Sequence, residues 1–289
     1  MTGDDELGAR IIAESAKIIR QTSPMDNVGK ITMATGRGGT GKSTFVALLA
    51  RYLKTPLLLL DIDPDQSLAN MLGVELEETR VKTEIDREVA LKTLSDLAEE
   101  LEDEDAFFEM GAGPPFVKIA FLLENYSYYR SDEFDLFSLG PRWTEGDYRS
   151  ANFLFEFIIP TIGQYYKNIL IDSPAGLEHL NRRIVPKVDD LFIILDPSMK
   201  SIKHVERVKK IAQAVGLQYE HLYLVGNHEF YPEAEQLIQS TDEVYLGKLE
   251  YDARVRDYNL KGKPLWELPP DSTACLSIKE LLAGADYDF

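Results

Sequence analysis

The sequence predicts an α/β fold, a doubly wound, mainly parallel sheet flanked by helices. Short apolar runs alternate with segments of helical apolar spacing, a glycine-rich loop joins the first apolar run to a helical segment, and acidic residues end two later runs. Strands that alternate with helices in this way form parallel sheets. Ligands of such sheets bind at the carboxyl ends of the strands, so we expect the functional residues there.

The N-terminal residues predict a helix outside this sheet. Apolar side chains between residues 7 and 21 recur at close to helical spacing, before the breaking pair Ser23 and Pro24. We therefore predict a helical extension over residues 1–28 and a main domain over residues 29–289.

The loop after the first predicted strand, residues 30–34, has the sequence of a phosphate-binding P-loop. Residues 35–44 read Thr-Gly-Arg-Gly-Gly-Thr-Gly-Lys-Ser-Thr, and a helical run follows at residues 45–53. Such glycines let backbone N–H groups point at nucleotide phosphates, while Lys42 supplies a charge to the phosphates and Ser43 a hydroxyl to Mg²⁺. The helix N-terminus favours the same anion. The predicted nucleotide-binding residues of the loop are Gly36, Gly38, Gly39, Thr40, Gly41, Lys42, Ser43 and Thr44.

The remaining elements continue the alternation. The apolar run within residues 56–64 suits a strand buried on both faces, and residues 75–133 predict a helical, acidic insertion. Beyond the insertion, the pattern predicts strands at 134–139, 168–172, 190–196 and 221–227 and helices at 151–166 and 202–215. Together with the P-loop, this order predicts the P-loop NTPase fold.

An acidic residue at the end of a later strand suits a magnesium site. Asp172 ends the apolar run of residues 168–171, where a P-loop protein needs a carboxylate to hold Mg²⁺ through its water shell, together with Ser43. The residues alone leave a second interpretation open, in which Asp172 only starts a turn before Pro174.

Composition argues against several other functions. The chain of 289 residues carries a formal net charge of −18, so we expect no nucleic-acid partner. A single cysteine, Cys275, excludes an intramolecular disulfide and a metal site built from several thiolates of one chain. The acidic N-terminus and the lack of a long apolar run predict no secretory signal and no membrane contact. We therefore expect a cytoplasmic protein.

A basic residue, Arg37, stands before the second glycine of the loop. The run from Gly36 to Thr44 thereby resembles the deviant Walker A loop of the MinD/ParA-type ATPases. In that family the early basic residue, usually Lys, reaches across a nucleotide-sandwiched homodimer to the partner's phosphates. The resemblance implies ATP and Mg²⁺ as ligands, a homodimer in the ATP state and a catalytic role for Arg37 beside Lys42. Arginine departs from the family's lysine, and the two differ in length and shape.

Two later segments resemble the switches of the same family. Residues 60–65 read Leu-Asp-Ile-Asp-Pro-Asp and look like switch I, which implies that Asp63 orients the attacking water. Asp172 and residues 173–176 look like Walker B and switch II. The resemblance therefore adds Asp63 to the catalytic residues.

The adenine site is also implied by the resemblance. Asn227 and the segment 247–252, which includes Tyr251 and Asp252, match places where the family holds adenine. From the residues alone, Asn227 could equally be a turn residue.

Within the family, residues 175–182 and 265–272 resemble the ATPases that mature nickel carbon-monoxide dehydrogenase. Those proteins carry Cys-x-Cys between the switches, where this chain has Asp147 and Arg149. A carboxylate and a guanidinium cannot form a soft thiolate site. We therefore expect no tight nickel or zinc site.

These features together predict a Mg²⁺-dependent ATPase that acts as a switch on a client protein, with metalloenzyme maturation as one candidate role. A partitioning or positioning ATPase is the first alternative, although the acidic C-terminus and overall charge suit neither lipid nor DNA. The second is a nucleotide-binding adaptor with little turnover, because Arg37 could permit binding without hydrolysis.

Overall fold

The computed structural model describes residues 28–63, 65–74, 129–138, 159, 163–175, 187–227, 230–239 and 241–288. The strands are β1 (Lys30–Gly36), β2 (Leu57–Asp61), β3 (Tyr129–Arg130), β4 (Asp135–Ser138), β5 (Asn168–Asp172), β6 (Lys187–Leu195), β7 (Gln218–Gly226) and β8 (Val244–Lys248). The helices are α1 (Lys42–Ala50), α2 (Ser67–Met71), α3 (Met199–Val215), α4 (Pro232–Gln239), α5 (Ala253–Leu260) and α6 (Thr273–Gly284). Short 3₁₀ turns occur at Gly163–Tyr165 and Leu265–Glu267.

The described strands form one sheet in the order β3-β4-β2-β5-β1-β6-β7-β8. Neighbours pair in parallel, except that β3 is antiparallel to β4. The strand β1 lies between β5 and β6, so the loop that follows it leaves the middle of the sheet. This order confirms the predicted doubly wound, mainly parallel sheet.

Both faces of the sheet are covered, which explains the near-continuous apolar strands. The four leucines of β2 are at most 1% exposed, and they alternate between the two faces. On one face they pack with α1 and α6, and on the other β1, β5 and β6 pack with α3 and α4. Residues 45–50 of α1 are all buried, as expected for a helix that is apolar all round.

Several predicted boundaries differ from the structure. The first helix begins at Lys42 rather than at residue 45, because the P-loop lysine and serine belong to its first turn. The helix predicted from residue 202 begins at Met199, since Ser198 caps it by accepting a hydrogen bond from the backbone of Ser201. The strands β6 and β7 each begin three residues before their predicted starts at 190 and 221.

Two strands were not predicted from the sequence. The edge strand β8 is largely half-buried and lacks a continuous apolar run. The strand β3 has only two residues. Most of the predicted extension over residues 1–28, of the insertion over 75–133 and of the helix over 151–166 lies outside the described residues, and these remain predictions.

Candidate nucleotide-binding site

The P-loop joins β1 to α1 at the carboxyl edge of the sheet. Gly39 has φ 76° and Gly41 φ 86°, left-handed values that favour glycine. At Gly36 a Cβ atom would lie 2.5 Å from the carbonyl oxygen of Ile194 in β6, so the backbone can pass here only without a side chain. The glycines thus shape a loop whose end is the first turn of α1.

Lys42 opens α1, and its side chain is buried against the loop. Its Nζ donates to the carbonyl oxygen of Arg37 at 3.2 Å, and Oγ1 of Thr40 donates to the same oxygen at 2.9 Å. Burial lowers the pKa of Lys42, whereas the charges of Asp172 and Asp63 raise it. The ammonium therefore lies within electrostatic reach of both predicted acids.

Asp172 lies at the end of β5, beside Ala34 of β1 and Asp61 of β2. Its side chain is fully buried, and neither carboxylate oxygen has a hydrogen bond of normal geometry within the described part of the chain. Burial raises the pKa of Asp172 to about 7, although the Ser43 hydroxyl and the Lys42 charge lower it. Buried oxygens of this kind require a partner.

These residues fit a magnesium ion. Mg²⁺ prefers oxygen ligands and is commonly held by one or two carboxylates with waters and substrate phosphates. The unpartnered oxygens of Asp172 and the nearby hydroxyl of Ser43 supply that chemistry. The structure thus brings together both residues that the sequence assigned to Mg²⁺.

Asp63 follows β2 on the same edge. Its backbone N–H donates to Oδ1 of Asp61 at 3.2 Å, and its own Oδ1 accepts the N–H of Asp65 at 3.1 Å. Its carbonyl oxygen accepts the N–H of Gln66 at 3.0 Å. Burial raises the pKa of Asp63, and the charge of Lys42 lowers it. The carboxylate is therefore held by local turns close to Lys42.

The side chain of Arg37 is bound by residues of its own chain that follow β6. Its Nη1 donates to Oδ2 of Asp196 at 2.9 Å and lies 3.3 Å from Oγ of Ser198. Both residues follow β6, next to β1 in the sheet. The guanidinium thus lies at the nucleotide edge but is bound by a local carboxylate.

Asn227 contacts the P-loop directly. Its Nδ2 donates to the carbonyl oxygen of Thr40 at 2.8 Å, and its backbone N–H donates to Leu195 at 2.8 Å. Asn227 lies directly after β7, which fits a turn residue. Its side chain also hydrogen-bonds the backbone of the P-loop, which is the loop expected to bind phosphate.

The other two predicted adenine residues lie on the segment before α5. This segment is near Asn227, because the N–H of Leu249 donates to Gly226 at 2.8 Å. The side chain of Tyr251 is exposed. The carboxylate of Asp252 accepts the N–H groups of Arg254 at 2.8 Å and Ala274 at 3.2 Å. Asp252 therefore caps α5, and adenine contact by either residue stays a prediction.

Sequence reasoning missed the partners that orient these groups. Asp196 and Ser198 hold Arg37, and Asp61 holds the segment of Asp63. Asp61 had a detectable signal, since it is a second carboxylate at the end of an apolar strand. Asp196 has the same signal at the end of β6, but its pairing with Arg37 depends on the adjacency of β1 and β6, which the chain order does not give.

The predictions about transition metals and membranes can be compared with the described residues only. Asp147 and Arg149 lie outside the described residues. Within the ranges given above, no cluster of three or more His, Cys, Asp or Glu side chains could hold a metal ion. In the same ranges, no helix has the length and apolar character needed to cross a membrane.

A glycine-rich loop that follows a central parallel strand, together with a buried acid at the end of the strand beside it in the sheet, defines a P-loop nucleotide-binding protein. The chain belongs to the CobQ/CobB/MinD/ParA nucleotide binding domain family, which matches residues 31–265. It is thus a MinD/ParA-type ATP-binding protein, as the sequence predicted. Solved ParA and MinD structures share its fold.

Individual relatives support this assignment. The chain is 33% identical to the uncharacterized ATP-binding protein MJ0685 of Methanocaldococcus jannaschii over 263 residues, 87% of this chain and 96% of the relative. It is 23% identical to the carbon monoxide dehydrogenase accessory protein CooC of Rhodospirillum rubrum, over 82% of this chain and 89% of CooC. This similarity confirms the predicted resemblance to the proteins that mature carbon monoxide dehydrogenase.

Among solved structures, the chain resembles the septum site-determining protein MinD of Pyrococcus horikoshii, which was determined in complex with Mg-ADP. The TM-score is 0.58 at 20% identity, over 89% of this chain and 96% of that chain. At this identity the likeness shows the shared fold.

Proposed function

We propose that the protein is a Mg²⁺-dependent ATPase that dimerises around its nucleotide and acts as a switch on a client protein. The observation that carries the proposal is the grouping of Lys42, Asp63 and Asp172. Both acids act electrostatically on Lys42, and Asp172 has two buried oxygens without hydrogen bonds of normal geometry in the described ranges. An ammonium beside two acids suits a phosphate that carries a metal ion.

The residues of one chain would divide the work as follows. The loop N–H groups and Lys42 bind the β- and γ-phosphates, and Lys42 stabilises charge that develops on the transferred phosphoryl group. Asp63 accepts a hydrogen bond from water and orients it for attack. Ser43 and Asp172 hold Mg²⁺, which neutralises phosphate charge when bound. The complex of the Pyrococcus horikoshii protein with Mg-ADP supports the choice of metal.

Arg37 is the residue that requires a second subunit in this proposal. It replaces the family's lysine, and a planar guanidinium is well suited to phosphate. Its side chain is 35% exposed at the nucleotide edge, so it can exchange Asp196 for a new anion. In the ATP-bound homodimer Arg37 binds the phosphates of the partner subunit.

Hydrolysis would be read out through the segments that follow Asp63 and Asp172. Both segments begin close to the P-loop: the charge of Asp63 acts on Lys42, and Ala175 lies so near Gly38 that a Cβ atom built there would be 3.4 Å from the Ala175 side chain. Loss of the γ-phosphate changes these contacts and releases the two segments. The change reaches a client protein that binds within residues 75–149, most of which lie outside the described residues.

Metalloenzyme maturation is the client role that the similarity to CooC supports. The proposed switch carries no nickel or zinc of its own, because Asp147 and Arg149 replace the cysteine pair. The similarity to ParA and MinD structures keeps partitioning or positioning as a second candidate. The net charge of −18 disfavours contact with DNA or anionic lipid.

Phosphate release tests the proposal against a non-hydrolysing adaptor. Purified wild-type protein is incubated with ATP, with Mg²⁺ or with EDTA, and phosphate is measured at several protein concentrations. The proposal expects release that requires Mg²⁺ and whose rate per chain rises with protein concentration as dimers form. ATP binding without any phosphate release would favour the adaptor.

A further inference from the structure

Asp61 is a fully buried carboxylate, and within the described residues its side chain accepts hydrogen bonds from backbone N–H groups of the loop and helix that follow β2. Its Oδ1 accepts the N–H of Asp63 at 3.2 Å. Its Oδ2 accepts the N–H groups of Leu68 at 3.2 Å and Ala69 at 3.4 Å, in the first turn of α2. One side chain therefore holds both ends of the loop between β2 and α2.

The helix α2 depends on this contact for its cap. Its N-cap residue is Gln66, which has φ 51° and makes no side-chain capping bond. The first N–H groups of a helix need an acceptor, and a carboxylate also suits the positive end of the helix dipole. Asp61 supplies that acceptor from the strand, several residues earlier in the sequence.

The loop in between leaves Asp63 little freedom. Its N–H is bound by Asp61, its carbonyl oxygen by Gln66 and its Oδ1 by Asp65. Only the first of these bonds connects Asp63 to the sheet through a side chain. The position of the Asp63 carboxylate relative to Lys42 thus follows from where Asp61 places the loop.

Asp61 also differs from the adjacent acid in what it can do. Asp172 faces it across the β2–β5 pair, and within the described residues neither of its oxygens has a hydrogen bond of normal geometry, whereas Asp61 uses both of its oxygens on backbone donors. A metal or water ligand would have to displace those bonds. The geometry suits a holding role for Asp61 and a ligand role for Asp172.

We propose that Asp61 is a positioning residue that sets the rate of ATP hydrolysis by fixing Asp63, without contributing to ATP affinity. This inference rests on the proposed function, in which Asp63 orients water. Small displacements of a reacting group lower rates by up to about 100-fold. In Asp61→Asn an NH₂ group replaces one acceptor oxygen. A backbone N–H that donated to this oxygen would then face another donor and lose its hydrogen bond.

The test compares Asp61→Asn with wild type in single-turnover hydrolysis and in calorimetric binding of the analogue ATPγS. We expect the hydrolysis rate to fall at least about tenfold while the dissociation constant changes less than about threefold. Hydrogen exchange should rise in the peptide that covers residues 61–69. If Asp61→Asn does not fold, Asp61→Ser, which keeps one acceptor oxygen, is measured in its place with the same expectation.

The matched control is Asp190→Asn. Asp190 is also a fully buried strand aspartate, but it pairs with Lys30 at 2.7 Å and His221 at 2.9 Å, away from the nucleotide edge. This variant should lose stability with an unchanged hydrolysis rate. A wild-type rate in Asp61→Asn, or equal loss of rate and affinity, would overturn the proposal. Wild-type hydrolysis by Asp63→Ala would instead refute the role of Asp63 and with it the proposed mechanism.

Discussion

Arg37 and Asp196 form an ion pair of 2.9 Å within one chain, between the P-loop and the segment after β6. The pair holds the basic residue that the proposed dimer needs at the phosphates of the other subunit. In the proposed dimer, Asp196 and the partner's nucleotide would compete for the same guanidinium. In the structure the Arg37 guanidinium is bound to Asp196.

Asp196→Asn should strengthen ATP-dependent dimerisation. The two side chains are 35% and 25% exposed, and such a pair contributes at most about 1 kcal/mol. Because each of the two subunits releases one such pair, the dimer dissociation constant should fall by no more than about thirtyfold, which corresponds to about 2 kcal/mol. Analytical ultracentrifugation with ATPγS measures it, and Glu220→Gln, which breaks the exposed pair with Lys187, is the control. Weaker dimerisation of Asp196→Asn would contradict the competition.

Arg37→Ala should keep ATP binding by the single chain but lose turnover by about 1000-fold, the lower end of the effect of an arginine finger. The loss follows because no other residue in the proposal reaches the partner's phosphates. Isothermal titration and phosphate release are measured on the same preparation. Arg37→Lys restores the family's residue and is the control that should retain activity.

Lys42→Ala should lose ATP binding, because its buried ammonium is the P-loop charge for the β- and γ-phosphates. Calorimetry at matched folding measures the affinity. A change within about threefold, roughly 0.65 kcal/mol, would remove Lys42 from the site. Lys54→Ala, on the surface beside Asp288, is a control that leaves binding unchanged.

Much of the fold followed from local pattern, whereas the partners at the site did not. The leucine run of β2 and the glycines of the P-loop carry their structure in adjacent residues, so both were predicted correctly. The half-buried edge strand β8 has no such pattern. Asp196 reaches Arg37 only because β6 lies beside β1, a relationship between residues 159 positions apart.

Tyr287→Phe should lower the free energy of unfolding by about 1 kcal/mol or somewhat more without changing ATP affinity. The Tyr287 hydroxyl and Oγ1 of Thr32 are 2.6 Å apart and buried, so the change leaves Thr32 without this partner. Urea unfolding of the variant and wild type measures the difference. An unchanged unfolding midpoint would show that this contact does not stabilise the docked C-terminal residues.

The protein should lack a tight Ni²⁺ or Zn²⁺ site in its ATP-bound form, because soft metals need thiolate or imidazole ligands where this chain has Asp147 and Arg149. Equilibrium dialysis compares wild type with the Asp147→Cys, Arg149→Cys double variant. Binding gained only by the double variant fits this expectation. Stoichiometric sub-micromolar binding by wild type would contradict it, and would show that Asp147 and Arg149 do not stand at the positions of the family's cysteine pair or that other ligands hold the metal.

The oligomeric state of Asp63→Ala with ATP and Mg²⁺ tests the central claim most directly. Loss of the carboxylate should prevent the orientation of water while leaving the phosphate contacts intact. Light scattering should then show a persistent dimer for Asp63→Ala, with phosphate release reduced by at least about 100-fold, and a dimer of wild type that decays as ATP is consumed. A variant that stays monomeric at saturating ATP, or hydrolyses ATP like wild type, would contradict the account.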